Sequence, residues 1–299
     1  MSSKLSRRAA MTGLGSAAFL GCAQAQTTPT RTTSGLRIKT TDYAVDRQAF
    51  QTRLLRRTPS PQPYGVDRVP SGVREIHYPS GDLRLKAWFA RPASAPEQAP
   101  LVVFAHGGFA FGAEDLDMAR PYLAAGYAVA VPWVRGENGL PGAFSMFYDE
   151  AADIIAVTEF LKTQAGIDSE RIYLAGHSVG GTLAMLAGQA SSNYRAVASF
   201  SGSPDQLLFC REYAQITPFD LNDLAESEMR SPLSYAASFK APARLFYAQG
   251  EVYGEDTQLM ARIAKAAGLD VEALAVRGDH FTAVPEAMRQ SIEFFRLHS

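Results

Sequence analysis

Disulfide scaffolding is excluded at the outset. The 299-residue chain has only two cysteines, Cys22 and Cys210. Cys22 falls in a stretch that reads as a cleaved export signal, so Cys210 would have no internal partner and is expected as a small buried apolar residue. Neither sign of charge prevails: 29 Lys and Arg face 30 Asp and Glu, a net charge of −1. No basic excess therefore exists from which to build a nucleic-acid face. Histidine is scarce as well, at five, so any general base must be one of very few residues. What is present, 46% apolar and 20% charged residues, suits one large α/β domain or two small ones with ample core.

Residues 1–25 read as an export signal. Lys4, Arg7 and Arg8 make a basic start with no acid to offset them. A mildly apolar run, Ala9 to Gly21, follows and is too short to span a bilayer. Ala23-Gln-Ala25 supplies a small-x-small cleavage pattern. The pair Arg7-Arg8 resembles a twin-arginine signal, which implies export of an already folded chain to the periplasm or beyond. Leu20-Gly-Cys22 is the alternative, a lipoprotein site, and a membrane would be a partner only if Cys22 were lipidated. Loss of the segment takes the net charge from −1 to −4.

Residues 26–70 read as an N-terminal arm: a Thr/Ser/Pro-rich leader, one amphipathic helix over Thr41 to Arg57, and a proline-rich stop at Thr58-Pro-Ser-Pro-Gln-Pro63. From Val73 the pattern turns to strands. Val73–Tyr78 and Leu83–Phe89 alternate about Pro79-Ser-Gly81 as a hairpin. Apolar runs at Leu101–Ala105, Tyr127–Trp133, Ile172–Ala175, Ala196–Ser201, Ala243–Tyr247 and Val271–Val276 read as strands. Helical patterns lie between them, near 115–125, 149–164, 182–189 and 256–267, and another, 285–297, closes the chain. Residues 71–299 thus form an α/β domain with a mostly parallel sheet covered on both faces. Residues 203–240 break the alternation and are expected to sit over the carboxyl edge as a small lid.

Gly176-His-Ser-Val-Gly180 lies between the strand Ile172–Ala175 and the helix from Thr182. A G-x-S-x-G in this strand–turn–helix setting is a nucleophile elbow, with Ser178 at its tip. The amide of Val179 points at the same spot and can stabilise an oxyanion. A serine there needs a base. His77 lies in a strand, His298 is penultimate, His177 neighbours Ser178 with its ring turned away, and His106 begins the loop after the third strand. His280, in the loop past the last strand, remains. The acid should come from Gly250-Glu-Val-Tyr-Gly-Glu-Asp256. Asp256 is the first choice although it could simply cap a helix, Glu251 the alternative and Glu255 the third. In His106-Gly-Gly-Phe109 the amide of Gly108, or else Phe109, is the second oxyanion donor, and His106 is expected to hold that loop by hydrogen bonds.

On His106-Gly-Gly108, Gly176-His-Ser-Val-Gly-Gly181 and Gly278-Asp-His280, supported by Val134-Arg-Gly-Glu-Asn-Gly139, Ile167-Asp-Ser-Glu-Arg-Ile172 and Ser231-Pro-Leu-Ser-Tyr235, residues 71–299 resemble the α/β-hydrolase superfamily. Within it the chain is most similar to the prolyl oligopeptidase catalytic domain and related esterases. The resemblance implies an α/β-hydrolase fold and a triad of Ser178, Asp256 and His280. The usual Gly-x-x-Asp spacing lands on Tyr253, which keeps Glu251 open. The expected chemistry is acyl transfer to water with no metal or organic cofactor. The expected substrate is a carboxylic ester, with a short peptide or amide as runner-up and an inert hydrolase-fold binding protein as the reading from another class. The resemblance carries no implication about oligomeric state.

Overall fold

The computed structural model describes residues 32–92 and 94–299. The expected export signal with Cys22, and residues 26–31 of the expected arm, lie outside the described residues.

Eight strands form one sheet, β1 (Val73–Ser80), β2 (Leu83–Ala90), β3 (Ala99–Ala105), β4 (Ala128–Pro132), β5 (Ile167–His177), β6 (Ala196–Phe200), β7 (Ala243–Ala248) and β8 (Val271–Val276), in the order β1-β2-β4-β3-β5-β6-β7-β8. The β1–β2 hairpin and the β2–β4 pair are antiparallel, and the other neighbours are parallel. The alternation of strands and helices predicts this mostly parallel sheet, and its strand order is that of the α/β-hydrolase fold implied by the resemblance. Side chains alternate along β3: Leu101 and Val103 enter one core cluster, Val102 and Phe104 the other. A sheet apolar on both faces needs helices on both. The first face is covered by α3 (Tyr148–Lys162), α4 (Val179–Ala190) and α7 (Gly254–Ala266), and the second by α2 (Ala113–Ala124) and α8 (Val284–Leu297).

The helix expected over Thr41 to Arg57 is much shorter. The first helix, α1, spans Tyr43–Ala49, with the Asp42 side chain accepting from the Ala44 and Val45 amides at its start. Beyond it the backbone finds tertiary partners instead of its own carbonyls. Arg53 N–H donates to Glu226 Oε1 (2.5 Å) and Leu55 N–H to Pro218 O (2.7 Å). A polar segment with partners waiting elsewhere has no reason to stay helical.

Residues 203–240 do interrupt the alternation. They carry α5 (Gln206–Glu212), α6 (Leu224–Glu228) and a 3₁₀ segment, Pro232–Ser238. Arg230 is buried there, its guanidinium donating to Ser145 O (2.9 and 3.0 Å), Thr52 Oγ1 (2.7 Å) and Glu226 Oε2 (2.6 Å). It ties arm, insert and main domain together, and a buried cation is tolerated only with such complete pairing. Cys210 is buried in this insert, and burial pushes its thiol up to about 12. Among the described residues no helix is long and apolar enough to cross a membrane.

Candidate active site

Ser178 stands between β5 and α4 at φ 57°, ψ −118°. A non-glycine residue there costs about 1–3 kcal/mol, and the surroundings hold it in place. Its own N–H donates to Phe200 O (2.9 Å) on β6. A Cβ at Gly180 would fall on the carbonyl of Ala105, and one at Gly176 on the carbonyl of Gly180. Only glycine lets helix α4 start so close beneath β3, and that closeness lifts the serine hydroxyl above the sheet edge.

His280 and Glu251 come from the loops after β8 and β7. His280 Nδ1–H donates to Glu251 Oε1 (2.7 Å), while Glu251 Oε2 accepts from the Ser201 hydroxyl and from Ala248 N–H (2.8 Å each). Burial raises the Glu251 carboxyl, but the bonds from His280, Ala248 and Ser201 outweigh it and hold the group below the usual glutamate range. The carboxylate side chain is 12% exposed and the imidazole 31%, so the pair is sheltered yet reachable.

This corrects the choice of acid. Asp256 lies in the first turn of α7, and among the described residues His280 bonds Glu251 and not Asp256. Burial, with Asp205 and Glu255 nearby, raises the Asp256 carboxyl to about 6, the reverse of what a carboxylate paired with an imidazole undergoes. Glu255 shares that helical turn and likewise makes no bond to His280. The physical reason is reach. Gly250, at φ 88°, turns the chain sharply after β7, so the residue immediately following faces the sheet edge. The longer glutamate then spans to the ring.

His177 is turned away from the hydroxyl. Its Nε2–H donates to the carbonyl of His280 (2.8 Å), and burial lowers its own pKa to about 4, so it stays a neutral donor. It therefore ties the elbow to the loop bearing His280. His106 braces the other side. Burial opposes its charge, but Glu137 and Asp115 prevail and lift it to about 10. As an imidazolium it donates from Nε2 to Glu137 Oε2 (3.0 Å) and from Nδ1 to Gly107 O (2.9 Å). The carbonyl of Gly107 and the N–H of Gly108 belong to one planar peptide unit and point in opposite directions. Anchoring the first on His106 therefore aims the second. Gly108 sits at φ 67°, and among the described residues neither its N–H nor that of Val179 has a hydrogen-bond partner. Phe109 N–H, the other candidate donor, is taken by Gln62 Oε1 (2.8 Å).

Ser178, Val179 and His280 line one cleft of about 270 Å³, whose other walls are Thr182, Ser201, Ser203 and the rings of Phe147, Phe209, Tyr213 and Tyr253. No direct hydrogen bond joins Ser178 to His280 among the described residues; such bonds are often long in unliganded sites and tighten with substrate. With Nδ1 on Glu251, Nε2 is left for the serine. Among the described residues no cluster of three His, Cys, Asp or Glu side chains could hold a metal ion.

Sequence reasoning missed Ser201 and Gln62. Ser201 directly follows β6 at φ 50°, and a serine just past the carboxyl end of the strand beside the elbow was the available signal. For Gln62, within a proline-rich stretch, there was none.

The sequence model of the prolyl oligopeptidase family matches residues 115–291. The chain is 27% identical over 212 residues to the acylamino-acid-releasing enzyme of Mus musculus, covering 60% of this chain but 29% of that enzyme. Among solved structures it is similar to an acylaminoacyl peptidase in complex with Z-Gly-Gly-Phe-chloromethyl ketone (25% identity, TM-score 0.58, 75% of this chain and 40% of that one). It also shares its fold with Est1E of Butyrivibrio proteoclasticus (16% identity, TM-score 0.59, 75% and 98%).

Proposed function

The chain belongs to the prolyl oligopeptidase family of serine hydrolases, and from that premise we propose that it cleaves carboxylic esters through an acyl-enzyme on Ser178. His280 takes the proton from the Ser178 hydroxyl as the oxygen attacks the substrate carbonyl. Glu251 fixes the imidazole tautomer through Nδ1 and balances the imidazolium that forms. The N–H groups of Gly108 and Val179 receive the oxyanion. His280 then protonates the departing alkoxide, and a water repeats the sequence on the acyl group. The observation that carries this reading is the 2.7 Å bond from His280 Nδ1 to Glu251 in the cleft that Ser178 lines. That pair also speaks against an inert binding protein, since binding alone has no use for a carboxylate-held imidazole facing a strained serine.

Esters are favoured because an alkoxide leaves more readily than an amine and needs less positioning. The aromatic walls of the cleft suit an apolar acyl group. Peptides or amides are the second reading, favoured by the match to the mouse enzyme. Turnover of short p-nitrophenyl esters beside aminoacyl-p-nitroanilides tests the choice; faster anilide hydrolysis overturns it. The insert of residues 203–240 serves in this reading as a lid, since it supplies Phe209 and Tyr213 to the cleft wall. Export by the basic, twin-arginine-like segment of residues 1–25 belongs to the same proposal. Cell fractionation of the full chain against an Arg7→Lys, Arg8→Lys variant tests it, and unchanged distribution would refute it.

A further inference from the structure

The arm does more than pack on the domain. Residues 52–56 are stitched to the insert through Glu226, Gln215, Thr217 and Pro218. Residues 58–67 then run past Gly136, Phe144, Phe109 and the start of α2. Phe144 N–H donates to Thr58 O (2.9 Å) and Ser60 N–H to Gly136 O (3.0 Å). Ala113 N–H, at the start of α2, donates to Asp67 Oδ2 (3.1 Å). Between these anchors the segment grips one residue from both sides: Phe109 N–H donates to Gln62 Oε1 (2.8 Å), and the Ser60 hydroxyl donates to Phe109 O. The strap is largely exposed, so these bonds, and not apolar burial, hold it.

The peptide unit joining Gly107 to Gly108 is anchored by His106 through the Gly107 carbonyl. The next unit is anchored by Gln62 through the Phe109 amide, and the one after by Ser60 through the Phe109 carbonyl. Gly108 is in the left-handed region, and glycine on both sides of its first peptide unit lets that unit rotate at little steric cost. Without anchors on both flanks, the Gly108 N–H would sample orientations that miss the oxyanion. A Cβ on Gly108 would strike the Gln62 side chain, so the two are in close contact as well as hydrogen-bonded neighbours.

We propose that residues 58–67 are a strap for the oxyanion loop, with Gln62 as a positioning residue that holds the Gly108 N–H in its productive direction. The inference rests on the serine-hydrolase reading above. Gln62 accepts from the backbone and touches no reacting atom, so its removal should slow acylation without weakening ground-state binding.

The test is Gln62→Leu, which keeps the bulk and removes the acceptor, with Gln62→Glu restoring an acceptor of the same reach and Ser60→Ala loosening the other side of Phe109. On p-nitrophenyl butyrate, Gln62→Leu should lower kcat roughly 10- to 100-fold, with KM changed by less than about twofold. The rate of fluorophosphonate labelling should fall by the same factor, the thermal midpoint should not move, and Gln62→Glu should recover most of the loss. Should Gln62→Leu fail to fold, Ser60→Ala must show the same kcat-only loss. An unchanged kcat, or a loss confined to KM, overturns the positioning role. A rise in kcat overturns it in favour of a strap that blocks the donor. Failure of the premise looks different: wild-type protein would then take no label at Ser178.

Discussion

The two halves of the site are held by different means. The nucleophile half is buried backbone. Gly176 and Gly180 meet carbonyls where any side chain would collide, and the strained torsions of Ser178 are locked between β5 and α4. The base half stands on two open loops, where Val252, beside Glu251, is 83% exposed and Phe281, beside His280, is 67% exposed. Hydrogen bonds from the Ser201 hydroxyl, the Ala248 backbone N–H and the His177 ring make up for the missing packing there. The first half is rigid because of sterics, the second because of polar bonds. Substitutions of the supporting residues should therefore fail by unfolding in the first half and by chemistry in the second.

Removing the hydroxyl itself is the largest effect. Ser178→Ala should lower ester turnover by about 10⁴-fold or more and abolish fluorophosphonate labelling while leaving the melting temperature near wild type or above it, since the nucleophile's burden is chemical. Gly180→Ala should break the rigid half as a structure. We expect a loss of about 4 kcal/mol or more, read as insolubility or a collapsed thermal transition, because a methyl there must displace the Ala105 carbonyl.

Within the polar half, Glu251→Gln should reduce kcat/KM by about 10⁴-fold at an unchanged fold, as loss of the tautomer-fixing carboxylate does elsewhere. Asp256→Asn should stay within about twofold of wild type. The reverse ranking would restore Asp256 as the acid. Asp256→Asn has a further signature. The folded-state pKa is raised from 3.8 to about 6, so the native protein prefers the proton more than the unfolded chain does. Ionisation therefore costs stability as pH rises through that window. The variant should melt above wild type at pH 7 and match it near pH 3.5, which paired thermal scans would check.

The smallest effect concerns the loop brace. His106 is raised to about 10 in the folded state, above its unfolded value of 6.5, so its ion pairing is fully present below about pH 6.5 and is lost as pH climbs toward 10. Wild type should lose stability over that range, and His106→Gln should show a flatter profile from a lower starting point. Equal slopes would mean that the imidazole is not charged between Glu137 and Asp115.

Most of the fold was legible because a parallel sheet buried on both faces writes continuous apolar runs. Strand β8 coincides with its expected run, Val271–Val276, and the expected hairpin of β1 and β2 forms, although Pro79 and Ser80 pair within β1 and the turn itself is Gly81-Asp82. The arm was less so. The pattern over Thr41 to Arg57 suits a helix, but Glu226 and Pro218 compete for its amides, and partners 160 or more residues away leave no local trace. The acid was ambiguous for a related reason. Three carboxylates follow β7 within eight residues, and which one meets an imidazole depends on the turn at Gly250 and on side-chain length.

By itself the amino-acid sequence determined the sheet and pointed to Ser178 and His280 as candidate nucleophile and base, because close backbone approach demands glycine and buried strands demand unbroken apolar runs, and both are local requirements. The tertiary structure alone decided that Glu251 and not Asp256 meets His280, that Ser201 steadies it, and that Gln62 reaches the oxyanion loop. Those choices are settled by distances between side chains far apart in the chain, and a few ångströms of reach across a loop have no signature in residue order.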